Sequence, residues 1–148
     1  MKHTGFLMAR MGHVAAKQFS ARLEELGLTI RMWGALNVLD AEGPLTQQAL
    51  GKLTNIDPSS MVATVDDLEA AGLVQRRRHP SDRRAHAIHI TDGGRETLTR
   101  GRQLARGAQE DLLAPLSPEE RKQLHELLLR LVIATKPKGV GPDQQQKK

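Results

Sequence analysis

The chain has 148 residues, with 22 lysines and arginines against 17 aspartates and glutamates, and a formal net charge of +5. This length fits one domain, or one domain with a small appendage, and a sizeable core, and the basic balance favours a polyanionic partner. The absence of cysteine excludes disulfides, thiolate metal sites and direct thiol oxidation. The sequence has no apolar run long enough for a bilayer and no signal-peptide pattern, so we expect an unprocessed cytoplasmic protein.

Helical periodicity predicts a long first helix from Thr4 to Leu26, which stops at Gly27. A second helix begins at Thr29, and its apolar stripe ends near Ala41.

Two short helices follow, joined by a tight turn. Thr46 is a predicted N-cap of the third helix, and Leu50 and Leu53 are expected to face inward. Asp57 followed by Pro58 is a strong start signal for the fourth helix, because the acid caps free N–H groups and proline suits the first helical position. The inward side of the fourth helix is predicted to be Met61, Val65 and Leu68.

A β-hairpin is predicted directly after the fourth helix, with strands from Val74 to Arg78 and from Ala85 to Ile90 joined by the turn-forming HPSD. Its arginines crowd around a single acid, Asp82, and repel one another unless an anion lies alongside. They are Arg76, Arg77, Arg78, Arg83 and Arg84. We interpret Asp82 as orienting Arg84 while the other arginines meet phosphates. A solvated surface loop is the alternative.

The remaining chain is predicted to be helical and then irregular. One helix starts after the cap Thr91 and runs to about Leu113, and a capping box from Ser117 to Glu120 starts the last helix. Residues 136–148 lack apolar periodicity and are expected to be disordered.

Two short helices joined by a tight turn form a helix-turn-helix, in which the second helix enters the major groove of DNA. An ordinary helical hairpin is the alternative, but the basic hairpin that follows has the position that a winged helix requires. An arginine-rich hairpin tip in this position reaches an adjacent minor groove, where narrow A·T-rich stretches favour arginine.

Three features together carry a family resemblance: LTIRMWGALNVLDAEGPLTQQALGKLTNID, VDDLEAAGLVQRRRHPSDRRAHAIHIT, and the wing pattern Asp82-x-Arg84. With them the chain resembles the MarR family of transcriptional regulators from about Leu7 to Val132. The resemblance implies a mainly α fold with a small β-hairpin wing. It assigns residues 29–91 to a winged helix-turn-helix DNA-binding domain, and residues 1–28 and 92–135 to a helical dimerisation region.

The recognition helix departs from the family pattern. Val62 and Ala63 stand where relatives often carry a threonine and an arginine, and Asp67 replaces a further arginine. Ala63 is able to touch a thymine methyl group, so readout is expected to be poor in guanine contacts and to rely more on the wing and DNA shape. The predicted DNA-binding residues are Thr46, Gln47, Asn55, Ser59, Ser60, Ala63, Thr64, Arg76, Arg77, Asp82, Arg83 and Arg84.

Apolar side chains at both ends of the chain predict a homodimer, because a monomer would expose a large apolar patch. Packing within one chain is the alternative. A two-fold dimer binds an inverted-repeat DNA operator. The predicted interface residues are Leu7, Met11, Val14, Leu124, Leu127, Leu128 and Leu131.

Several other functions are weighed against this one. The sequence contains no phosphate loop, nucleophile elbow or zinc-protease motif, so no enzyme activity, cofactor or metal is expected. His86 and His89 fall on opposite faces of a strand and cannot chelate one metal. The main competitor is a non-specific architectural or RNA-binding winged helix. A dimeric interaction module that no longer binds nucleic acid is a third possibility.

The family resemblance also implies a small aromatic or phenolic anion as effector, in a crevice between the dimerisation and DNA-binding parts. Trp33, Arg10 and His13 have suitable chemistry for such a site, but core packing or solvent exposure explains each of them equally well. The ligand-binding residues are therefore left unassigned.

Overall fold

The computed structural model describes residues 3–79 and 81–135, with the backbone alone at 79 and 82–85. The chain divides into two units, Met1–Asp111 and Leu112–Lys148. The elements are α1 (Thr4–Glu24), α2 (Ile30–Glu42), β1 (Leu45–Thr46), α3 (Gln47–Thr54), α4 (Pro58–Ala70), β2 (Val74–His79), β3 (Asp82–Ile90), α5 (Asp92–Leu113) and α6 (Pro118–Thr135). The predicted tail, residues 136–148, lies outside the described residues.

The predicted fold class, a mainly α winged helix-turn-helix with a small β wing, is confirmed. None of the described helices is long and apolar enough to cross a membrane.

The wing is a three-stranded antiparallel sheet in the order β1-β3-β2, where the sequence predicted only a hairpin. The additional strand pairs Leu45 with Ile88 and Thr46 with Ala87. A strand of two residues is too short to show an alternating pattern, so periodicity does not reveal it. The pairing fixes the start of α3 against the centre of the wing.

One apolar core contains side chains from all five helices from α1 to α5 and from the strands of the wing. It includes side chains that are almost fully buried: Leu23, Leu36, Leu50, Leu68, Ile88 and Leu98. The inward positions predicted for α4 are confirmed, since Met61, Val65 and Leu68 are buried. Because Leu23 lies on α1 and Leu98 on α5, the winged helix shares its core with its flanking helices. The assignment of those helices to dimerisation stays a prediction.

The prediction that Leu53 faces inward is wrong, since this side chain is 57% exposed. Helix α3 has only two buried positions, Leu50 and Gly51. At about 100° per residue, Leu53 lies roughly 110° from the midpoint of those two positions. A helix of eight residues shows too few turns for periodicity to resolve so narrow a buried sector.

Trp33 is a packing residue at the junction of three helices. Its ring meets that of Phe19 on α1 edge to face, with centroids 5.6 Å apart. On α5 it lies against the backbone of Gly101, where an added Cβ would be 2.1 Å from Trp33 Cζ3. Trp33 therefore packs against the core, which is one of the alternatives to a role in an effector site.

Helix α6 begins with the predicted capping box. The Ser117 backbone N–H donates to Glu120 Oε2 at 2.8 Å, and the Glu120 N–H donates to Ser117 Oγ at 3.3 Å. No residue of α6 is buried. Its exposed apolar side chains include Leu124, Leu127, Leu128 and Leu131. On α1, Leu7 and Met11 are also exposed, whereas Val14 is half-buried. The dimer interface assigned to these residues stays a prediction.

The contact between Trp33 and Gly101 predicts a specific loss of stability. We expect Gly101→Ala to lower the free energy of unfolding by about 1–3 kcal/mol, because the new methyl group forces the indole from its site. Urea denaturation followed by circular dichroism measures this. Gly107→Ala, on the same helix, is the matched control: its added Cβ would lie 3.9 Å from the nearest atom, Arg22 Nη1. The control should stabilise the protein by up to about 1 kcal/mol, and equal effects of the two substitutions would contradict this packing.

Candidate nucleic-acid interface

The orientation of α3 and α4 is set by local capping. Thr46 Oγ1 accepts from the backbone N–H of Ala49 at 3.2 Å and caps α3 as predicted. Asn55 ends α3 in the left-handed region, with φ 54, a conformation that asparagine tolerates better than most residues. The next residue, Ile56, donates its N–H to the Gly51 carbonyl at 3.0 Å. The turn is therefore determined by hydrogen bonds within a short stretch of chain.

The predicted Asp57 cap of α4 is confirmed. Asp57 Oδ1 accepts from the backbone N–H of Ser60 at 2.9 Å and from the hydroxyl of Ser59 at 2.8 Å. The hydrogen bonds from Ser60, followed by that from Ser59, hold the pKa of Asp57 well below its usual range. Asp57 therefore carries a full negative charge at the start of α4, where it satisfies free donors of the first turn and favours the helix dipole.

The exposed face of α4 carries hydroxyl, apolar and acidic groups and no cation. Its members are Ser59, Val62, Ala63, Asp66 and Asp67. Val62 is 43% exposed and was absent from the predicted contact set. Val62 and Ala63 lie three and four positions after Ser59, so helical spacing alone places both residues on the same face of α4 as Ser59.

Thr64, predicted to contact DNA, is largely buried in this structure, and its contact with DNA stays a prediction. Thr64 is only 5% exposed, and its hydroxyl donates to the Ser60 carbonyl at 2.8 Å. It lies one position beyond the exposed face of α4, next to the buried Val65. Ser60 itself is half-buried and provides the backbone N–H that Asp57 caps.

Arg76, predicted to meet phosphate as part of a cluster around Asp82, instead has two acidic partners on α4. Its Nη1 donates to Glu69 Oε2 and its Nη2 to Asp66 Oδ1, both at 2.5 Å. The side chain is 25% exposed. A longer contact of 3.4 Å joins Nη2 to Gln47 Oε1 at the start of α3. Arg76 therefore brings α3, α4 and the wing together.

The other arginines of β2 are differently placed. Arg77 and Arg78 are exposed, and Arg77 Nε donates to the neighbouring Gln75 Oε1 at 3.0 Å. The side chains of Asp82, Arg83 and Arg84 lie outside the described residues, so the interpretation that Asp82 orients Arg84 stays a prediction.

A cleft of about 700 Å³ lies between α3 and α4. Its wall includes two predicted contact residues, Gln47 and Asn55. It also includes Lys52, an exposed cation outside the predicted set of DNA-binding residues. The signal for Lys52 was its position in the last turn of α3, close to the turn that leads to α4.

The described residues contain no group of three or more histidines, aspartates or glutamates placed to hold a metal ion. His86 is exposed, whereas His89 is half-buried, as expected for residues three apart on a strand. Burial and then the nearby charge of Arg77 lower the pKa of His89, which favours its neutral form.

The arrangement of α3, α4 and the β2–β3 ribbon defines a winged helix-turn-helix protein. Known proteins agree. A sequence model of the MarR family matches residues 26–85. A putative transcriptional regulatory protein for the hcr operon of Thauera aromatica is 37% identical over 124 residues, which is 82% of this chain and 75% of that protein. The crystal structure of a probable transcriptional regulator from Pseudomonas aeruginosa has 35% identity and a TM-score of 0.73, covering 88% of this chain and 97% of the other.

A third relative is the HTH-type transcriptional repressor Rv2887 of Mycobacterium tuberculosis, 29% identical over 86% of this chain and 91% of its own length. Its crystal structure in complex with DNA has a TM-score of 0.77 and 27% identity, over 88% of this chain and 98% of the other. A complex of Rv2887 with p-aminosalicylic acid has a TM-score of 0.71 and 28% identity, over 88% and 99%. The present chain belongs to the MarR family of transcriptional regulators.

The Asp57 cap predicts a stability that depends on pH. Because folding lowers the pKa of this carboxyl group, its contribution is present above the unfolded-state pKa and is lost as the pH falls through the acid range. We therefore expect Asp57→Ala to lower the thermal midpoint at pH 7, and the difference from the parent protein to shrink below about pH 4. Asp57→Asn retains a cap acceptor and should show a smaller loss. A difference between Asp57→Ala and parent that stays constant from pH 7 to pH 3 would contradict the ionised cap.

Proposed function

We propose that this protein is a homodimeric, sequence-specific DNA-binding regulator that represses transcription in the cytoplasm. Helix α4 lies in the major groove of an inverted-repeat operator, and the arginine wing reaches the adjacent minor groove. The similarity to the transcriptional repressor Rv2887 and to its complex with DNA supports this proposal.

The observation that carries the proposal is the contact of Arg76 with both α4 and α3. Asp66, one of its partners, lies on the exposed face of α4 together with Ser59 and Val62. Because Arg76 belongs to β2, the base of the ribbon lies beside that face. A helix and a basic ribbon on one surface are the two parts that simultaneous contact with one duplex requires.

The distribution of charge on this surface separates the parts proposed to bind phosphates from the part proposed to contact bases. Helix α4 contributes no cation, so phosphate binding falls to the exposed Arg77 and Arg78 of β2 and to Lys52 of α3. Arg83 and Arg84 are proposed to contact the minor groove. Val62 and Ala63 give α4 an apolar centre that suits the methyl group of thymine. Binding through both parts distinguishes this proposal from a protein that reads charge alone.

Dimerisation is supported by the apolar side chains that α1 and α6 leave exposed, among them Leu7, Met11, Leu124, Leu127 and Leu131. Burial of exposed apolar side chains against a second copy is the usual remedy in soluble proteins. The two α4 helices of a dimer then face successive major grooves on one side of the duplex.

Selection from a pool of randomised duplexes tests the operator and the dimer together. We expect an inverted repeat with half-site centres about 34–36 Å apart, and sedimentation of the free protein as a dimer at micromolar concentration. Arg84→Ala should weaken binding several-fold, since one groove contact contributes about 1–3 kcal/mol. Arg100→Ala, an exposed arginine on α5, is the matched control. Equal competition by random duplex at matched ionic strength would favour the non-specific architectural protein, and a stable monomer would contradict the dimer.

A small aromatic acid is proposed as the effector, supported by the complex of Rv2887 with p-aminosalicylic acid. A crevice of about 410 Å³ between α1, α2 and α4 has the volume of a small-molecule site. Its wall includes Ala63 of the recognition helix and the cation Arg31, but also the acids Glu24 and Asp67. A carboxylate must therefore lie beside Arg31.

Titration of the protein–operator complex with p-aminosalicylic acid tests the effector proposal. We expect release of the DNA, because a ligand against Ala63 occupies space beside the exposed face of α4 that is proposed to contact the bases. The corresponding uncharged amide is the control and should release less DNA, since it lacks the charge that Arg31 pairs with. An intact complex at millimolar acid would refute this class of effector.

A further inference from the structure

We propose that Arg76 is a positioning residue that fixes the β2–β3 ribbon on α4 and does not bind DNA. The inference rests on the proposed function, because it concerns how the DNA-binding surface is assembled. It separates Arg76 from Arg77 and Arg78, which follow it on the same strand.

The geometry of Arg76 is that of a clamp between elements. Glu69 and Asp66 lie three positions apart on α4, so both carboxylates project from one side of the helix. The guanidinium uses separate nitrogens for them, Nη1 for Glu69 and Nη2 for Asp66. Glu69 Oε1 also accepts from the backbone N–H of Arg76 at 3.0 Å. The strand is thus attached to the helix through both its backbone and its side chain.

The electrostatics of these contacts oppose a second use of Arg76 as a phosphate ligand. Hydrogen bonds from the backbone and then the side chain of Arg76 lower the pKa of Glu69, which keeps this carboxylate ionised. A DNA phosphate that approached Arg76 would meet the charges of Glu69 and Asp66 as well. A bidentate arginine already paired with two carboxylates offers a weaker site for a third anion than an exposed arginine does.

The clamp also alters the charge of the surface that faces DNA. Helix α4 carries Asp66, Asp67 and Glu69 and no lysine or arginine. Arg76 lies against two of these three acids and so reduces their repulsion of the phosphate backbone. Its contribution to DNA affinity is therefore indirect, through the placement of the ribbon and the neutralisation of α4.

Lysine substitution distinguishes a clamp from a phosphate contact. Lysine is a good phosphate ligand but carries its charge on one nitrogen, so it cannot reproduce contacts made through two separate nitrogens of a planar fork. Arg76→Lys keeps the net charge of the protein. Arg77→Lys is the matched control on the same strand.

The experiment measures the affinity of each full-length variant for the selected duplex over a range of salt concentrations. We expect Arg76→Lys to bind about tenfold more weakly with an unchanged slope of log affinity against log salt. Arg77→Lys should bind within about twofold of the parent protein, whereas Arg77→Ala should reduce the salt slope by about one. Parent-like binding by Arg76→Lys would overturn the proposal, as would a reduction of the salt slope by Arg76→Lys like that expected of Arg77→Ala.

A double-mutant cycle with Arg84→Ala separates positioning from general destabilisation. If Arg76 acts through the ribbon, the loss caused by Arg76→Lys should shrink when the Arg84 contact is already absent. Losses that multiply independently would refute this role. Glu69→Asp provides a second variant that changes no charge and shortens only the reach of the acid. It should weaken binding several-fold with the same non-additivity, and parent-like binding by it would count against the clamp.

Failure of the Arg76 clamp can be distinguished from failure of the proposed function. A parent protein that selects no duplex refutes sequence-specific DNA binding itself. A parent protein that selects an operator, with Arg76→Lys and Glu69→Asp both unimpaired, refutes only the clamp. Thermal unfolding of each variant, followed by circular dichroism, verifies that the compared proteins are folded at the assay temperature.

Discussion

The attraction between Arg76 and the two carboxylates of α4 is the interaction on which the proposed DNA-binding surface depends. A helix that enters the major groove approaches phosphates on both sides, yet α4 bears Asp66, Asp67 and Glu69 without a cation of its own. Arg76 lies against two of these acids and belongs to β2, the first strand of the β2–β3 ribbon. The same contact therefore reduces an unfavourable charge and determines where the basic ribbon begins.

The helix-turn-helix itself depends on short-range chemistry and was predictable from the sequence for that reason. Thr46 and Asp57 cap helices whose first turns lie within three residues of them, and Pro58 adds a fixed φ at the first position of α4. Asn55 provides the left-handed residue between the helices. These capping signals need no knowledge of distant parts of the chain, so the predicted starts of both helices agree with the structure.

The features that the sequence did not reveal depend on how separate elements pack against one another. The attachment of Arg76 to Asp66 is one of several acid–arginine pairings that composition allows, and only packing selects it. Strand β1 has two residues and exists because β3 lies beside it. Gly101 on α5 contacts Trp33 on α2, and no pattern in a single sequence indicates that these two positions meet. Thr64 is buried because of how α4 is rotated about its own axis against the core. The periodicity of apolar residues does not predict that rotation to within one residue.

Under the proposed function, the composition of the exposed face of α4 connects weak base recognition to the need for two copies. Ser59, Val62 and Ala63 offer one hydroxyl and two apolar groups, whereas guanine is read best by a bidentate arginine. Discrimination by one such helix is therefore small, since a mismatched base pair typically costs only about 1–3 kcal/mol. Two half-sites add their contributions when both helices bind one duplex, and wings in the minor groove add the shape of the flanking DNA. A helix face of this kind gains selectivity from symmetry, which makes dimerisation a requirement of the proposed recognition.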